Sequence, residues 1–283
     1  MAIYDINGNN LTEVYDPNGI SLNSAYDKNG NIVFTSRLTV MTYNVQWFTR
    51  INSQQAMQQK IMSDYDADFI GVQELSQNGV IPNLGQLVFA DYQYQQLSNH
   101  KNYMGMMSKL PLSNIVIADF ETQDPEDASQ YNETRAYMMA DINFGGKVIT
   151  WINTHLCYLT TASKYAQMAE LFDIAEQKEY CIITGDFNNT ASSASDNDYI
   201  NMFKPYVDAG YNLANCSPSA GFTKTCSDLT TATTTADLIN PCDSIITSGN
   251  IDIVDVVFDT TKFSYLNGDP IDHIPVIAEL QIN

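Results

Sequence analysis

Short apolar runs broken by turn-forming polar stretches dominate this chain, and segments with a helical period are few. Leu38 to Asn44 reads as a buried strand, and Asp68 to Gln73 as a second, ending at Glu74. Strands also fit Tyr92 to Leu97, Tyr103 to Met107 and Ile115 to Phe120. Ala136 to Phe144 and Val148 to Asn153 make the arms of a hairpin joined at Gly145-Gly146. Cys181 to Ile183 suits a strand buried on both faces. Later strands fit Ser244 to Thr247, Ile251 to Phe258 and Ile274 to Ile282. Asn52 or Ser53 caps a helix running to about Asp64. Thr160 to Lys178 is a second helix, with Tyr165, Met168, Ala169, Phe172 and Ala175 on its predicted apolar face. Ala191 to Thr235, rich in Ser, Thr and Asn, is mostly loop with short helices. Many strands, hairpin links and few helices predict an α+β sandwich of two sheets with helices outside.

Before Arg37 the pattern differs. Tyr4-Asp5-Ile6-Asn7-Gly8, Tyr15-Asp16-Pro17-Asn18-Gly19 and Tyr26-Asp27-Lys28-Asn29-Gly30 recur every 11 residues. Asn-Gly marks a tight turn, and the pieces between are too short to bury a face alone. Residues 1–36 are therefore read as a separate segment for attachment or oligomerisation, and residues 37–283 as the main domain. Glycine at the fourth position of each Asp-x-Asn-Gly unit, instead of the sixth, argues against a calcium loop.

The net charge is −20, from 33 acidic and 13 basic residues. That disfavours unspecific adhesion to nucleic acid or anionic membrane. It leaves phosphate substrates open, because distant charge is screened beyond about 8 Å at physiological salt and a bound cation reverses the local sign. No apolar run is long enough to span a membrane. The start, Met1-Ala2-Ile3-Tyr4-Asp5, lacks the features of a signal peptide. A cytoplasmic protein, or part of a larger particle, is thus expected ahead of a secreted one. Cys157 and Cys181 sit in apolar surroundings and read as small core residues. Cys216 and Cys226, ten positions apart in a Ser/Thr-rich loop, can close a disulfide; a reducing compartment argues against it.

The polar residues at strand ends change the picture. Asn44 closes the first strand, Gln73-Glu74 the second and Thr154-His155-Leu156 the hairpin. Asp186 and Asn188 follow Gly185 at the end of the Cys181 strand. Being two apart, they point to one side of an extended backbone. Asp243 opens a late strand, and Asp272-His273 precedes the last. Each alone is as well explained by a turn, a cap or a solvated charge. Together they put carboxylates, amides and two of the three histidines at six strand boundaries.

This constellation resembles the endonuclease/exonuclease/phosphatase superfamily, the deoxyribonuclease I-like fold. The resemblance is carried by Thr42-Tyr43-Asn44-Val45, Gly71-Val72-Gln73-Glu74-Leu75, Thr154-His155-Leu156, Thr184-Gly185-Asp186-Phe187-Asn188 and Asp272-His273 with Pro275-Val276. It implies a four-layer α/β/β/α sandwich of two mixed, mainly antiparallel sheets. It also implies a Mg²⁺ site, with Mn²⁺ as substitute, in which Glu74 is the main ligand and Asn44 and Asp272 lie close. His273, oriented by Asp243, matches the imidazole on the attacking side of a phosphate. Asp186 and Asn188 match the groups that place the water and a phosphate oxygen. His155 matches the group facing the leaving oxygen, and Asn44 and Arg135 match phosphate contacts. No acid before Tyr103 matches the glutamate that partners the first histidine in the deoxyribonuclease I branch.

The implied reaction is metal-assisted hydrolysis of a phosphodiester, with DNA as first substrate and endonucleolytic cutting. The absence of a basic stripe runs against nucleic acid. A lipid or inositol phosphoesterase, sphingomyelinase-like, is the second reading. Exposed aromatics at Tyr92-Gln93-Tyr94 or Phe263-Ser264-Tyr265 would favour it. A non-catalytic binding protein on the same fold is the third.

Overall fold

Strand alternation lays down three tiers on the facing sides of two sheets, and the site grows from the topmost. In the computed structural model β5 (Arg37–Asn44) and β6 (Phe69–Leu75) run parallel, with Val40 beside Phe69, Thr42 beside Gly71 and Asn44 beside Gln73. In the other sheet β11 (Lys147–His155) and β12 (Cys181–Asp186) also run parallel, pairing Trp151 with Ile182, Asn153 with Thr184 and His155 with Asp186. Residues two apart share a face. The lowest tier, Leu38, Val40, Phe69, Trp151 and Ile182, is apolar and buried between the sheets, with Phe69 stacked on Trp151 at 5.4 Å between ring centroids. The middle tier is polar and equally buried: Thr42, Gln73, Asn153 and Thr184. The top tier holds Asn44, His155 and Asp186.

Buried polar groups need hydrogen-bond partners, and the members of the middle tier satisfy one another. Gln73 Nε2 donates to Thr42 Oγ1 (3.1 Å) and Asn153 Oδ1 (2.7 Å). Asn153 Nδ2 donates to the carbonyls of Val72 (3.1 Å) and Gly105 (3.0 Å) across the sandwich. Thr184 Oγ1 donates to Asn153 Oδ1 at 3.1 Å and accepts from Trp151 Nε1 at 2.9 Å. The sheets approach so closely here that a Cβ on Gly71 would collide with Thr184 Oγ1 and lie 2.5 Å from Asn153 Oδ1.

The structure describes residues 37–45, 52–75, 93–96, 103–124, 134–227, 234–260 and 272–283, together with the short strands β1 (Ile3–Tyr4), β2 (Asn10–Leu11), β3 (Ser24–Tyr26) and β4 (Ile32–Phe34). The short strands pair as β1–β2 and β3–β4. The remaining strands are β7 (Gln93–Gln96), β8 (Tyr103–Ser108), β9 (Leu112–Asp119), β10 (Ala136–Phe144), β13 (Asn212–Leu213), β14 (Asp243–Thr247), β15 (Ile251–Phe258) and β16 (Val276–Ile282). They complete two six-stranded sheets, ordered β13-β14-β12-β11-β10-β9 and β15-β16-β5-β6-β8-β7. In each, one parallel pair sits among antiparallel neighbours.

Helices cover the outer faces. Met62 of α1 (Asn52–Tyr65) packs with Met41, Ile70 and Ile277 on one sheet. Met168, Leu171 and Ala175 of α2 (Thr161–Ala175) pack with Ile152, Ile183 and Ile246 on the other. A π-helical turn, Tyr199–Phe203, and the short helix α3 (Lys204–Asp208) add Met202, Phe203 and Tyr206 to that layer. The result is the expected α/β/β/α sandwich of two mixed, mostly antiparallel sheets. Among the described residues no helix is long and apolar enough to cross a membrane.

Two expectations need correction. The buried face of α2 is Ser163, Lys164, Gln167, Met168, Leu171 and Ala175, while Ala169 is exposed. The inward face meets the polar ends of β11 and β12, so apolar spacing misplaced it. The disulfide joins Cys226 to Cys242, Cα atoms 5.9 Å apart, and Cys216 is a buried thiol outside it, as are Cys157 and Cys181. Cys216 instead donates to the Pro241 carbonyl at 3.1 Å. The repeat turns of residues 1–36, the aromatic candidates Tyr92 and residues 263–265, and residues 76–92 lie outside the described residues, as do the side chains of Gln93 and Tyr94.

Candidate active site

Six of the nine predicted residues gather at the rim: Asp186, three groups around its Oδ2, and Glu74 and Asp243 bonded to two of those three. Asn44 Nδ2 lies 2.8 Å from that oxygen, His155 Nε2 3.4 Å and His273 Nε2 3.5 Å. The same Asn44 amide reaches Glu74 Oε1 at 3.1 Å and His273 Nε2 at 3.4 Å. His273 Nδ1 is 2.9 Å from Asp243 Oδ2. Asp243 is the β14 neighbour of Asp186 in the ladder.

Glu74 needs a special backbone to join them. It follows Gln73, whose side chain points into the middle tier, so plain alternation would turn it away. The pairing of β6 with β8 shifts register between Val72 and Leu75, and Glu74 has φ 55°. A bulge of this kind re-aims a side chain. A left-handed glutamate is uncommon and strained, a feature that concentrates at functional sites.

Asn188 is placed differently. Its backbone N–H donates to Asp186 Oδ1 at 2.9 Å, and its side-chain Nδ2 donates to the Leu156 carbonyl at 2.8 Å. It braces Asp186 and the end of β11 and stands outside the tight cluster. Arg135 is buried, so it is no surface charge. Its guanidinium lies over the Tyr158 ring, 5.8 Å from the centroid, and its charge acts on His155. Asp272 acts on both Glu74 and His273 through its charge.

Electrostatics divide the two histidines. Burial works against charge on His273, but Asp243, Asp186 and Asp272 outweigh it and raise its pKa to about 10. Burial, joined by Arg135 and His273, lowers that of His155 to about 3 despite Asp186. His273 is thus an imidazolium and His155 a neutral ring. Among the described residues His155 Nδ1 has no hydrogen-bond partner. Burial and Asp272 raise Glu74 to about 7. Burial opposes ionisation of Asp186, yet His155, His273 and the Asn188 N–H hold its carboxyl below the ordinary value.

Among the described residues two groups of donors could each hold a metal ion: Glu74, His155 and Asp186, and Asp186, Asp243 and His273, with donor atoms in each within 4.8 Å of one another. Crowded carboxylates, with Glu74 raised in proton affinity by burial and by Asp272, suit a divalent cation with oxygen ligands.

Several supporting residues escaped the sequence reading. Thr225 Oγ1 accepts from the Asp243 N–H at 3.0 Å, and the Thr225 carbonyl accepts from Ile274 N at 2.8 Å. Cys226 bridges to His273 in the backbone ladder. The Cys226–Cys242 link therefore ties the segments carrying Asp243 and His273. The one available signal was that Cys242 directly precedes Asp243.

Comparisons with known proteins agree with this architecture. The chain is similar in structure to the endonuclease/exonuclease/phosphatase from Bacteroides vulgatus, with TM-score 0.68 and 15% identity over 87% of this chain and 99% of that one. It is similar to D. rerio TDP2 complexed with single strand DNA product, with the same TM-score, identity and coverages. The human Nocturnin catalytic domain with bound sulfate anion matches with TM-score 0.64 and 14% identity over 88% of this chain and 94% of that one. No match is found among curated protein sequences. The sequence model of the Endonuclease/Exonuclease/phosphatase family matches residues 41–236. The chain belongs to the endonuclease/exonuclease/phosphatase family, with the deoxyribonuclease I-like fold and acid-and-histidine clusters suited to a divalent metal.

Proposed function

We propose that this protein is a metal-dependent phosphodiesterase that hydrolyses nucleic acid, with DNA as its first substrate and internal cutting as its mode. The observation that carries this reading is the convergence of Asn44, Glu74, His155, Asp186, Asp243 and His273, delivered by both sheets, on one point. The single-strand DNA product named with D. rerio TDP2 supports the substrate class by analogy of fold.

In this reading Glu74, with Asn44 and Asp272 close by, holds Mg²⁺, and Mn²⁺ substitutes for it. A divalent cation held there supplies Lewis acidity toward a phosphate oxygen and lowers the proton affinity of nearby groups. Asp186 and Asn188 orient the water and a phosphate oxygen. The proton released by the water passes to the Asp186 carboxylate, which the His273 imidazolium flanks at 3.5 Å. Asp243 keeps the His273 ring in place through Nδ1. His155, neutral, donates a hydrogen bond from Nε2 to the leaving oxygen instead of serving as a cationic acid. Arg135, buried and acting on His155 through its charge, contributes positive charge to the phosphate pocket.

A second reading rests on the net charge of −20: a smaller phosphoester, such as a lipid or inositol phosphate, needs fewer backbone contacts than DNA. A side-by-side assay on supercoiled DNA, RNA, sphingomyelin and an inositol phosphate, with and without Mg²⁺, separates the two. Mg²⁺-dependent nicking of the plasmid supports the first; turnover of the lipid or inositol phosphate alone replaces it with the second. Residues 1–36 serve as an attachment or oligomerising segment in this proposal, supported by their 11-residue period; light scattering on full-length and shortened chains tests it.

A further inference from the structure

Helix α2 buries a lysine where a core helix normally buries an apolar side chain. Lys164 is 5% exposed. Its ammonium donates to the Asn188 carbonyl at 2.9 Å and to Asp198 Oδ2 at 2.8 Å. Asp198 Oδ2 also accepts from Thr190 N (2.9 Å) and Thr190 Oγ1 (2.8 Å), and Asp198 Oδ1 accepts from the Tyr165 hydroxyl (2.9 Å). Burying such a pair is costly, and apolar replacements of similar shape are often at least as stable. A contribution to stability alone is therefore a weak reason for its presence.

What the pair grips is the turn behind the candidate active site. Asn188 has φ 48°, a left-handed conformation uncommon outside glycine. Its N–H is held by Asp186 Oδ1 at 2.9 Å, and its C=O by Lys164. These bonds pin the peptide planes on both sides of the Asn188 Cα, and so fix its φ and ψ. Asp198 pins the next plane through Thr190 N. We infer that Lys164 is a positioning residue: acting through the Asn188 backbone, it sets the direction of the Asp186 carboxylate and the Asn188 amide. The effect on rate rests on the phosphodiesterase reading above; the effect on the turn rests on these contacts alone.

The test uses the full chain and the double variant Lys164→Met/Asp198→Asn, which removes both buried charges and leaves Asn188 O ungripped. Two quantities are read: Mg²⁺-dependent hydrolysis of plasmid DNA and of bis(p-nitrophenyl) phosphate, and amide hydrogen exchange across residues 186–190. The double variant is expected to melt close to the wild type, to exchange faster at 187–190 and to lose about 10- to 100-fold in kcat, with a smaller change in KM. A purely structural pair predicts that kcat returns along with stability. Wild-type kcat and wild-type exchange in the double variant overturn the inference. If that variant does not fold, Asp198→Asn decides, since it keeps the Lys164 grip. It should retain protection at 187–188 and most of the turnover, and a full loss of turnover with that protection intact overturns the inference. If the wild type hydrolyses neither substrate, the phosphodiesterase reading fails while the exchange measurement still decides the positioning.

Discussion

Asn44 Nδ2 lies 2.8 Å from Asp186 Oδ2. The first residue ends β5 in one sheet and the second ends β12 in the other, so this bond joins the two halves of the sandwich at the rim. Neither half is a site alone. One brings Asn44, Glu74 and His273, the other His155, Asp186 and Asp243. The proposed chemistry therefore depends on how the sheets are stacked as much as on which residues they carry.

His273→Ala and Asp186→Ala should each lower hydrolysis by about 10²- to 10⁴-fold, with circular dichroism unchanged. His155→Ala should cost less than either, because a neutral ring contributes a hydrogen bond and no charge. Initial rates of plasmid nicking measure all three. Equal losses at His155 and His273 would contradict the division of roles drawn from their opposite pKa shifts.

In excess chelator, Glu74 and His273 should make stability fall as pH rises, against an opposing gain from His155 that is complete by about pH 6.5. Between 4.5, the ordinary glutamate value, and about 7, folded Glu74 keeps a proton that the unfolded chain has lost, so raising the pH favours unfolding. His273 continues the trend: its stabilisation is complete below 6.5 and is lost as pH climbs through about 10. Mg²⁺ should raise Tm most near pH 8, where Glu74 is ionised, and should be needed for turnover. Glu74→Gln should flatten the lower limb and abolish the Mg²⁺ shift. Thermal melts at several pH values, with EDTA and with Mg²⁺, check this; a Tm indifferent to Mg²⁺ would count against the metal site.

Reduction of Cys226–Cys242 should cost stability and turnover together. The link closes 16 residues of chain, and a loop of that size stabilises by about 3 kcal/mol. It also holds Thr225 against Asp243 N and Ile274 N. Urea midpoints and nicking rates with and without reductant measure the two effects. An unchanged midpoint would show the link to be dispensable.

Gly71→Ala should destabilise by roughly 3 kcal/mol or more, since overpacking at a rigid contact allows little relaxation. The new Cβ would meet Thr184 Oγ1 and Asn153 Oδ1, both fixed by hydrogen bonds. Denaturant unfolding of this variant gives the number, and a value below 1 kcal/mol would mean that the sheets can part.

Strand positions and the gathering of most of the candidate residues were legible in the sequence because two-residue alternation converts a list of strand ends into a common direction. Asp186, His155 and Asn44 follow that rule. Glu74 does not: its place depends on a bulge and a left-handed φ, which no local pattern announced. The inward face of α2 was misjudged because Lys164 and Gln167 are buried by partners distant in the chain, the Asn188 carbonyl and the Cys157 N–H. The disulfide partner was missed for a similar reason. Cys226 and Cys242 are brought together by the ladder linking 225–226 to Asn240, a tertiary fact that spacing does not encode.

The absent side chain at Gly71 lets the sheets interlock one step below the rim, and the Gln73–Asn153–Thr184 bonds lock that contact. Sliding one sheet past the other would break several buried bonds at once, so the mouth above is stiff. Under the proposed function a nucleic-acid guest has to adapt its own backbone to this mouth, so bendable, unpaired or nicked strands are expected to be cut faster than a straight duplex.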